Sequence, residues 1–273
     1  MQEWLIHPVV QGAVVPFLAA LIAGLLFAPL RLAGLCLAAG FAAAVYLVVG
    51  FQFSPLNTVR KLLLLGLAAP ALGVVADLAL RPTRAAGPVA AVICGAASIW
   101  VFLALLKQKD LAQALIAAGA TAAYVGWQVG AVLALRHDSV RAGAAAFALG
   151  LGTGVAAVFA ASATLGLYAL AFGTASSTFL LLQMIGGKRI FAGMTFSLTA
   201  GLLAGLIGAA AVYLAELPWT ALAVLAAVPL AARIPVPDRW PVWGQVVALS
   251  ALTLAVAAGS CLLAWQASRG PSG

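Results

Sequence analysis

The sequence is poor in charged residues and in the clusters of side chains that carry out catalysis. Only 7% of its 273 residues are charged, against about a quarter in soluble proteins. Its three cysteines, Cys36, Cys94 and Cys261, lie in separate apolar runs without Cys-x-x-Cys spacing. Paired carboxylates, clustered histidines, a Gly-x-Ser-x-Gly motif, a phosphate-binding glycine loop and a His-Glu-x-x-His motif are all missing. The sequence therefore argues against hydrolases, metalloenzymes and haem-carrying subunits, and it predicts no metal, no cofactor and no catalytic residue.

Apolar residues are what the sequence has in abundance. They make up 65% of the chain, and the mean hydropathy is +1.16. Runs of near 20 apolar residues are long enough to cross about 30 Å of hydrocarbon as helices, and they do not alternate as transmembrane strands do. The sequence therefore predicts an all-α, polytopic membrane protein of the kind found in a bacterial-type inner membrane.

About ten transmembrane helices are predicted along residues 1–273, which we treat as one membrane domain. The uncharged run from Ala142 to Gly187 would be roughly 69 Å long as a single helix, so it is divided into two. A turn at Ala161 to Thr164 gives two helices of similar length, whereas a turn at Phe172 to Thr178 leaves a short, re-entrant second half. We prefer the first of these.

The basic residues, which give a formal net charge of +8, sit at the ends of the predicted helices. This placement indicates contact with lipid headgroups rather than with nucleic acid, and it sets the orientation. Alternate loops divide the fourteen basic residues unequally, which places both termini outside by the positive-inside rule. One side holds Arg31, Arg81, Arg84, Arg136, Arg141, Lys188, Arg189, Arg233 and Arg239, and the other holds Arg60, Lys61, Lys107, Lys109 and Arg269.

Ten helices divide into five and five about the loop that follows residue 135. Halves with an odd number of helices are inverted relative to each other in the membrane, as in many secondary transporters. Residues 1–135 and 142–273 are therefore predicted to form two inverted five-helix halves, although no convincing residue-by-residue repeat joins them.

A short polar segment, from Ser54 to Lys61, stands directly before a strongly apolar run, and the third predicted helix starts within it. Ser54 followed by proline is typical of a helix start, so we expect a helix from Pro55 to Leu80, broken near its middle by Pro70. Two cations, Arg60 and Lys61, then lie near a positive helix N-terminus and predict an anion-binding mouth. Contact of both side chains with lipid phosphates is the alternative.

The same helix carries a carboxylate within the membrane. Asp77 lies four residues before Arg81, which is the spacing of neighbours on one helix face, so an Asp77–Arg81 ion pair at the interface is predicted. An ionisable residue inside a membrane also marks a candidate functional site.

The fifth predicted helix has a polar face. Thr121, Tyr124 and Gln128 stand at i, i+3 and i+7, so they share one side of the helix, with Trp127 beside them. Because unsatisfied polar groups in lipid are costly, we expect this face to point into the bundle or into a wet cavity. Contact with a substrate is one interpretation, and hydrogen bonding between helices is the other.

Three functions remain open on these observations. The first is an inner-membrane permease for a small anionic or amphipathic solute, with Arg60, Lys61, Thr121, Tyr124 and Gln128 as its binding residues. The second is a non-catalytic membrane subunit that anchors or scaffolds a larger complex. The third is an enzyme of lipid or polyprenyl-phosphate metabolism, for which no acid, base or metal set is evident. The predicted partners are membrane lipids, a small anionic solute, and further membrane subunits or copies of the chain.

Overall fold

The computed structural model describes residues 7–79, 85–237 and 239–269. These residues form ten α-helices and no β-strand, which confirms the predicted helical class. A π-helical turn, Val10–Val14, leads into the first helix, and a 3-10 turn, Ala28–Leu30, ends it. The helices are α1 (Val15–Phe27), α2 (Leu35–Val48), α3 (Thr58–Leu78), α4 (Ala86–Leu106), α5 (Leu111–Leu133), α6 (Ser139–Phe159), α7 (Ala163–Gly186), α8 (Gly193–Ala215), α9 (Trp219–Ala231) and α10 (Val242–Ser268).

Eight helical segments in the described part of the chain are long and apolar enough to cross a membrane. The segment that contains α1 runs from Val10 to Leu30, and the other seven are α3 to α8 and α10. The two remaining helices, α2 and α9, have 14 and 13 residues, about 20 Å each. The chain is therefore a helical, membrane-embedded bundle.

The long uncharged run is divided as the sequence predicts. Helix α6 ends at Phe159 and α7 begins at Ala163, with Ala161 in a left-handed conformation between them. The hydroxyl of Ser162 accepts a hydrogen bond from the amide of Leu165, which caps α7. The alternative turn at 172–178 is wrong, because those residues lie inside one continuous helix.

Helix α3 begins later than predicted. Its N-cap is Asn57, whose side-chain oxygen accepts a hydrogen bond from the Arg60 amide at 2.8 Å, so the expectation of Ser54 as the cap is wrong. Asparagine is as strong a cap as serine, and the sequence offers both within four residues. The helix also continues through Pro70, so the expected break there is absent.

Helix α8 forms the centre of the bundle, and all but a few of its residues are buried. It packs against α3, α5 and α6. Its glycines allow α5 to approach: a Cβ on Gly201 would lie 2.7 Å from the Cα of Val129, and one on Gly205 would lie 3.0 Å from the Cα of Val125. Close backbone packing of this kind replaces the hydrophobic driving force that lipid removes.

Among helices that follow each other in the chain, α6 with α7 and α4 with α5 make the most extensive contacts. The turns α5–α6, α7–α8 and α9–α10 meet at one end. There Arg141 donates to the carbonyl of Ala232 at 3.0 Å, and Arg189 donates to Gln245 at 2.7 Å. We call this the basic end. The opposite end carries the starts of α3 and α5.

Candidate functional site

The predicted polar face of α5 lies inside the bundle. Thr121 and Gln128 are fully buried, and Tyr124 is 8% exposed. The hydroxyls of Thr121 and Tyr213 lie 2.7 Å apart, and both donate to the carbonyl of Ala117. This contact joins α5 to α8, so hydrogen bonding between helices does occur on this face.

Gln128 carries the side-chain amide of this group, and it is buried. Its Nε2 donates to the Tyr124 hydroxyl at 3.2 Å and to the carbonyl of Leu225 on α9 at 3.3 Å. Its Oε1 is buried and accepts no hydrogen bond from the described residues. A buried amide oxygen without a donor is costly, so this atom is available to a donor from a bound molecule or water. Trp127 beside it is half-exposed and donates to the carbonyl of Ala226.

Arg60 and Lys61 lie at the opposite end of the bundle from the basic end. Arg60 donates to the carbonyl of Pro55 at 2.8 Å. Lys61 donates to the carbonyl of Trp100 at 3.4 Å, and its ammonium lies 4.8 Å from the centre of the Trp100 ring. Since α3 and α5 start at the same end, Thr121 lies on the order of 12 Å deeper than Arg60. The five predicted binding residues thus form two separate groups.

The carboxylate of Asp77, near the end of α3, is hydrogen-bonded to the start of α8. Its carboxylate accepts hydrogen bonds from the amides of Met194 and Thr195, each at 2.8 Å, and from the Thr195 hydroxyl at 2.7 Å. These are the first amides of α8, so Asp77 caps a helix that lies more than a hundred residues away in sequence. The other member of the predicted ion pair, Arg81, lies outside the described residues.

Glycines make room for this cap. Gly193 has a left-handed conformation (φ +62°), and a Cβ there would overlap the Asp77 carboxylate. A Cβ on Gly73 would lie 2.5 Å from the Cα of Thr195. The sequence therefore has glycine at both positions where α3 and the start of α8 come closest.

A cavity of about 500 Å³ opens at the basic end, and we call it the basic cavity. Its wall includes Arg31 after α1, Arg136 and His137 between α5 and α6, and Arg189 between α7 and α8. Ala192, at the start of α8, completes one side. Three arginines from three separate turns therefore line one cavity.

A carboxylate lies beside the arginines of the basic end. Asp138 lies 3.0 Å from Arg141 and 3.8 Å from Arg189, and it also caps α6. Arg136 donates to the imidazole of His137 at 3.1 Å. Three arginines line the cavity, a composition that attracts anions. Arginine suits this task because its planar group binds carboxylate and phosphate through paired hydrogen bonds.

The sequence analysis did not single out the basic cavity. It did place Arg31, Arg136 and Arg189 on the same side by the parity of the loops, and that parity is the signal that could have pointed to a shared site. Parity gives the side of the membrane but no distances within it, so the convergence of the three turns was not predictable.

The described residues contain no group of three or more His, Cys, Asp or Glu side chains that could hold a metal ion. No protein-family model matches the sequence, and no curated protein is significantly similar to it.

Proposed function

We propose that the protein is a permease-like protein of a bacterial-type inner membrane that binds and moves a small anionic or amphipathic solute. The observation that carries this proposal is the basic cavity, where Arg31, Arg136 and Arg189 converge on about 500 Å³. The positive-inside rule places the basic end, and so this cavity, on the cytoplasmic side, with both termini outside.

The arginines come from separate parts of the chain. Arg31 follows α1, whereas Arg189 precedes α8, so the two are distant in sequence and are brought together by the fold. An anion that binds both arginines would link these two turns, and its release would remove that link. This arrangement supports a binding site whose occupancy is coupled to the positions of the helices.

Two further groups supply contacts along the membrane normal. Gln128 offers an unused acceptor in the buried interior, next to the hydroxyls of Thr121 and Tyr124. Arg60 and Lys61 offer cations at the other end. We propose these five residues as later contacts of the solute.

The test is uptake of radiolabelled phosphate, sulfate and succinate into liposomes that contain the purified protein. We expect uptake of at least one of these anions, and Arg31→Gln should raise its KM about tenfold, because a charge-assisted hydrogen bond contributes about 1.5–3 kcal/mol. Arg233→Gln is the matched control, since Arg233 is an exposed arginine at the same end outside the cavity wall.

The proposal fails if none of the three anions enters above the rate of empty liposomes. The cavity loses its role if Arg31→Gln and Arg233→Gln behave alike. Replacement of Arg60 and Lys61 together by glutamine should abolish uptake, and normal uptake by that variant would remove the pair from the site.

A scaffold or anchor function is the second candidate, and the closeness of the helix packing favours it. A Cβ on Gly150 would lie 2.4 Å from the backbone of Gly173, and one on Gly95 would lie 2.7 Å from the carbonyl oxygen of Ala122. Such contacts leave these helix pairs little freedom to slide. Native mass spectrometry of gently extracted protein would support this function if a partner chain is present at a fixed ratio, and would oppose it if the chain is alone.

A further inference from the structure

An apolar groove opens toward the lipid between α1, α6, α7 and α10. Its volume is about 440 Å³, and nine of its eleven lining residues are apolar. We call it the apolar groove and define it by Phe17, Phe147, Leu180, Met184, Val246 and Leu254.

The groove begins near the basic end and follows the membrane normal inward. Met184 lies two residues before the end of α7, about 3 Å from it, and Leu254 lies twelve residues after the start of α10, about 18 Å from it. Half of a hydrocarbon core is about 15 Å thick. The groove therefore spans the depth of one leaflet, which is the depth that one acyl chain occupies.

A cation stands at the shallow end of the groove. Arg189 donates through Nη2 to the Oε1 of Gln245 at 2.7 Å, and Gln245 directly precedes the groove residue Val246. The Arg189 side chain is 45% exposed, and its Nη1 lies 3.8 Å from Asp138. A guanidinium has more N–H donors than these two contacts use, so Arg189 can still bind a phosphate.

We propose that the apolar groove holds one acyl chain of an anionic phospholipid whose phosphate lies against Arg189. An apolar groove one leaflet deep, with a partly exposed arginine beside its shallow end, matches an anionic lipid in both shape and charge. If the basic end is cytoplasmic, its leaflet is the one that carries anionic lipids, and these lipids attract cations. Arg189 also lines the basic cavity, so the lipid and the solute would share this cation, and the binding of lipid is therefore measured with no solute present.

The experiment is native mass spectrometry of the full chain with phosphatidylglycerol and phosphatidylcholine of identical acyl chains. We expect one tightly retained lipid per chain and about a fivefold preference for phosphatidylglycerol, the factor that one interfacial cation supplies. Arg189→Gln should remove the preference but leave chain binding. Arg233→Gln, which removes a charge from the same end, should keep it.

A second pair of variants tests the groove itself. Ala251 lines the groove and is exposed to lipid, so Ala251→Phe should fill it and abolish the retained lipid. Ala123 is exposed on α5, away from the groove, so Ala123→Phe adds the same bulk without this effect. If Ala251→Phe does not fold, Ser177→Phe fills the groove from the wall that α7 provides.

Four results would overturn the proposal. Retention of lipid by the groove-filling variant at the level of Ala123→Phe would place the lipid elsewhere. Equal affinity of the wild-type protein for the two lipids, or equal loss of preference in Arg189→Gln and Arg233→Gln, would remove the role of Arg189. A retained molecule without phosphate in the extracted protein would assign the groove to a different occupant.

Discussion

The hydrogen bonds of Asp77 to the start of α8 predict one of the largest single-residue effects on stability. In Asp77→Ala, the amides of Met194 and Thr195 lose their acceptor in a part-buried position where water reaches them poorly. An N-cap is worth about 0.5–2 kcal/mol, and each buried donor left unsatisfied costs about 1–3 kcal/mol. These contributions overlap, so we expect a total loss of about 2–4 kcal/mol. Asp77→Asn keeps one acceptor oxygen and should lose about half as much.

A matched variant separates this cap from an ordinary one. Asp110 caps α5 through a 2.7 Å hydrogen bond from the Gln113 amide, but it is exposed, so water can replace it. Asp110→Ala should therefore cost about 1 kcal/mol. The assay is reversible unfolding in mixed micelles, followed by tryptophan fluorescence and by circular dichroism. A loss in Asp77→Ala no larger than that in Asp110→Ala would refute the assignment of Asp77 as a buried cap between α3 and α8.

Four further substitutions test the packing and the hydrogen bonds. Gly150→Ala should destabilise the bundle by about 1–3 kcal/mol, because its Cβ would meet the backbone of Gly173. Gly119→Ala, where nothing lies within 4 Å of the added Cβ, should be neutral or stabilising by up to about 1 kcal/mol. The same unfolding assay compares the two variants. Arg141→Gln should cost about 1–2 kcal/mol and raise amide exchange in the α9–α10 turn, because Arg141 binds two carbonyls of that turn. Gln128→Leu should change stability by less than about 1 kcal/mol, because its hydrogen bonds are long and one of its polar atoms is unpaired; a loss above about 2 kcal/mol would contradict this.

The positions of the helices could be predicted well from the sequence. Hydropathy and the length of the hydrocarbon core fix where a helix must lie, so the predicted helix of 111–135 appears as Leu111–Leu133, and the turn near Ala161 is where it was expected. The starts of helices were predicted less well. Ser54 and Asn57 are both good caps, and only the fold decides between them, as the position of Asn57 shows.

The partners of polar groups could not be predicted from local spacing. Local spacing pairs Asp77 with Arg81, which lies outside the described residues, but it does not predict the hydrogen bonds of Asp77 to the amides of Met194 and Thr195 on another helix. Periodicity does predict that Thr121 and Gln128 share a buried face, because that follows from one helix alone. It says nothing of Tyr213 or Leu225, which complete the hydrogen bonds from α8 and α9.

The Asp77 cap and the basic cavity both adjoin the N-terminus of α8. The partial positive charge there can stabilise either the Asp77 carboxylate or an anion in the cavity. The start of α8 carries a partial positive charge that would add to the attraction of an anion by the cavity, whose wall includes Ala192. Asp77 neutralises that charge two residues further on, at Met194. The cap therefore stabilises the fold at the expense of the potential available to a bound anion. Anion binding then depends on the arginines of the cavity wall, Arg31, Arg136 and Arg189.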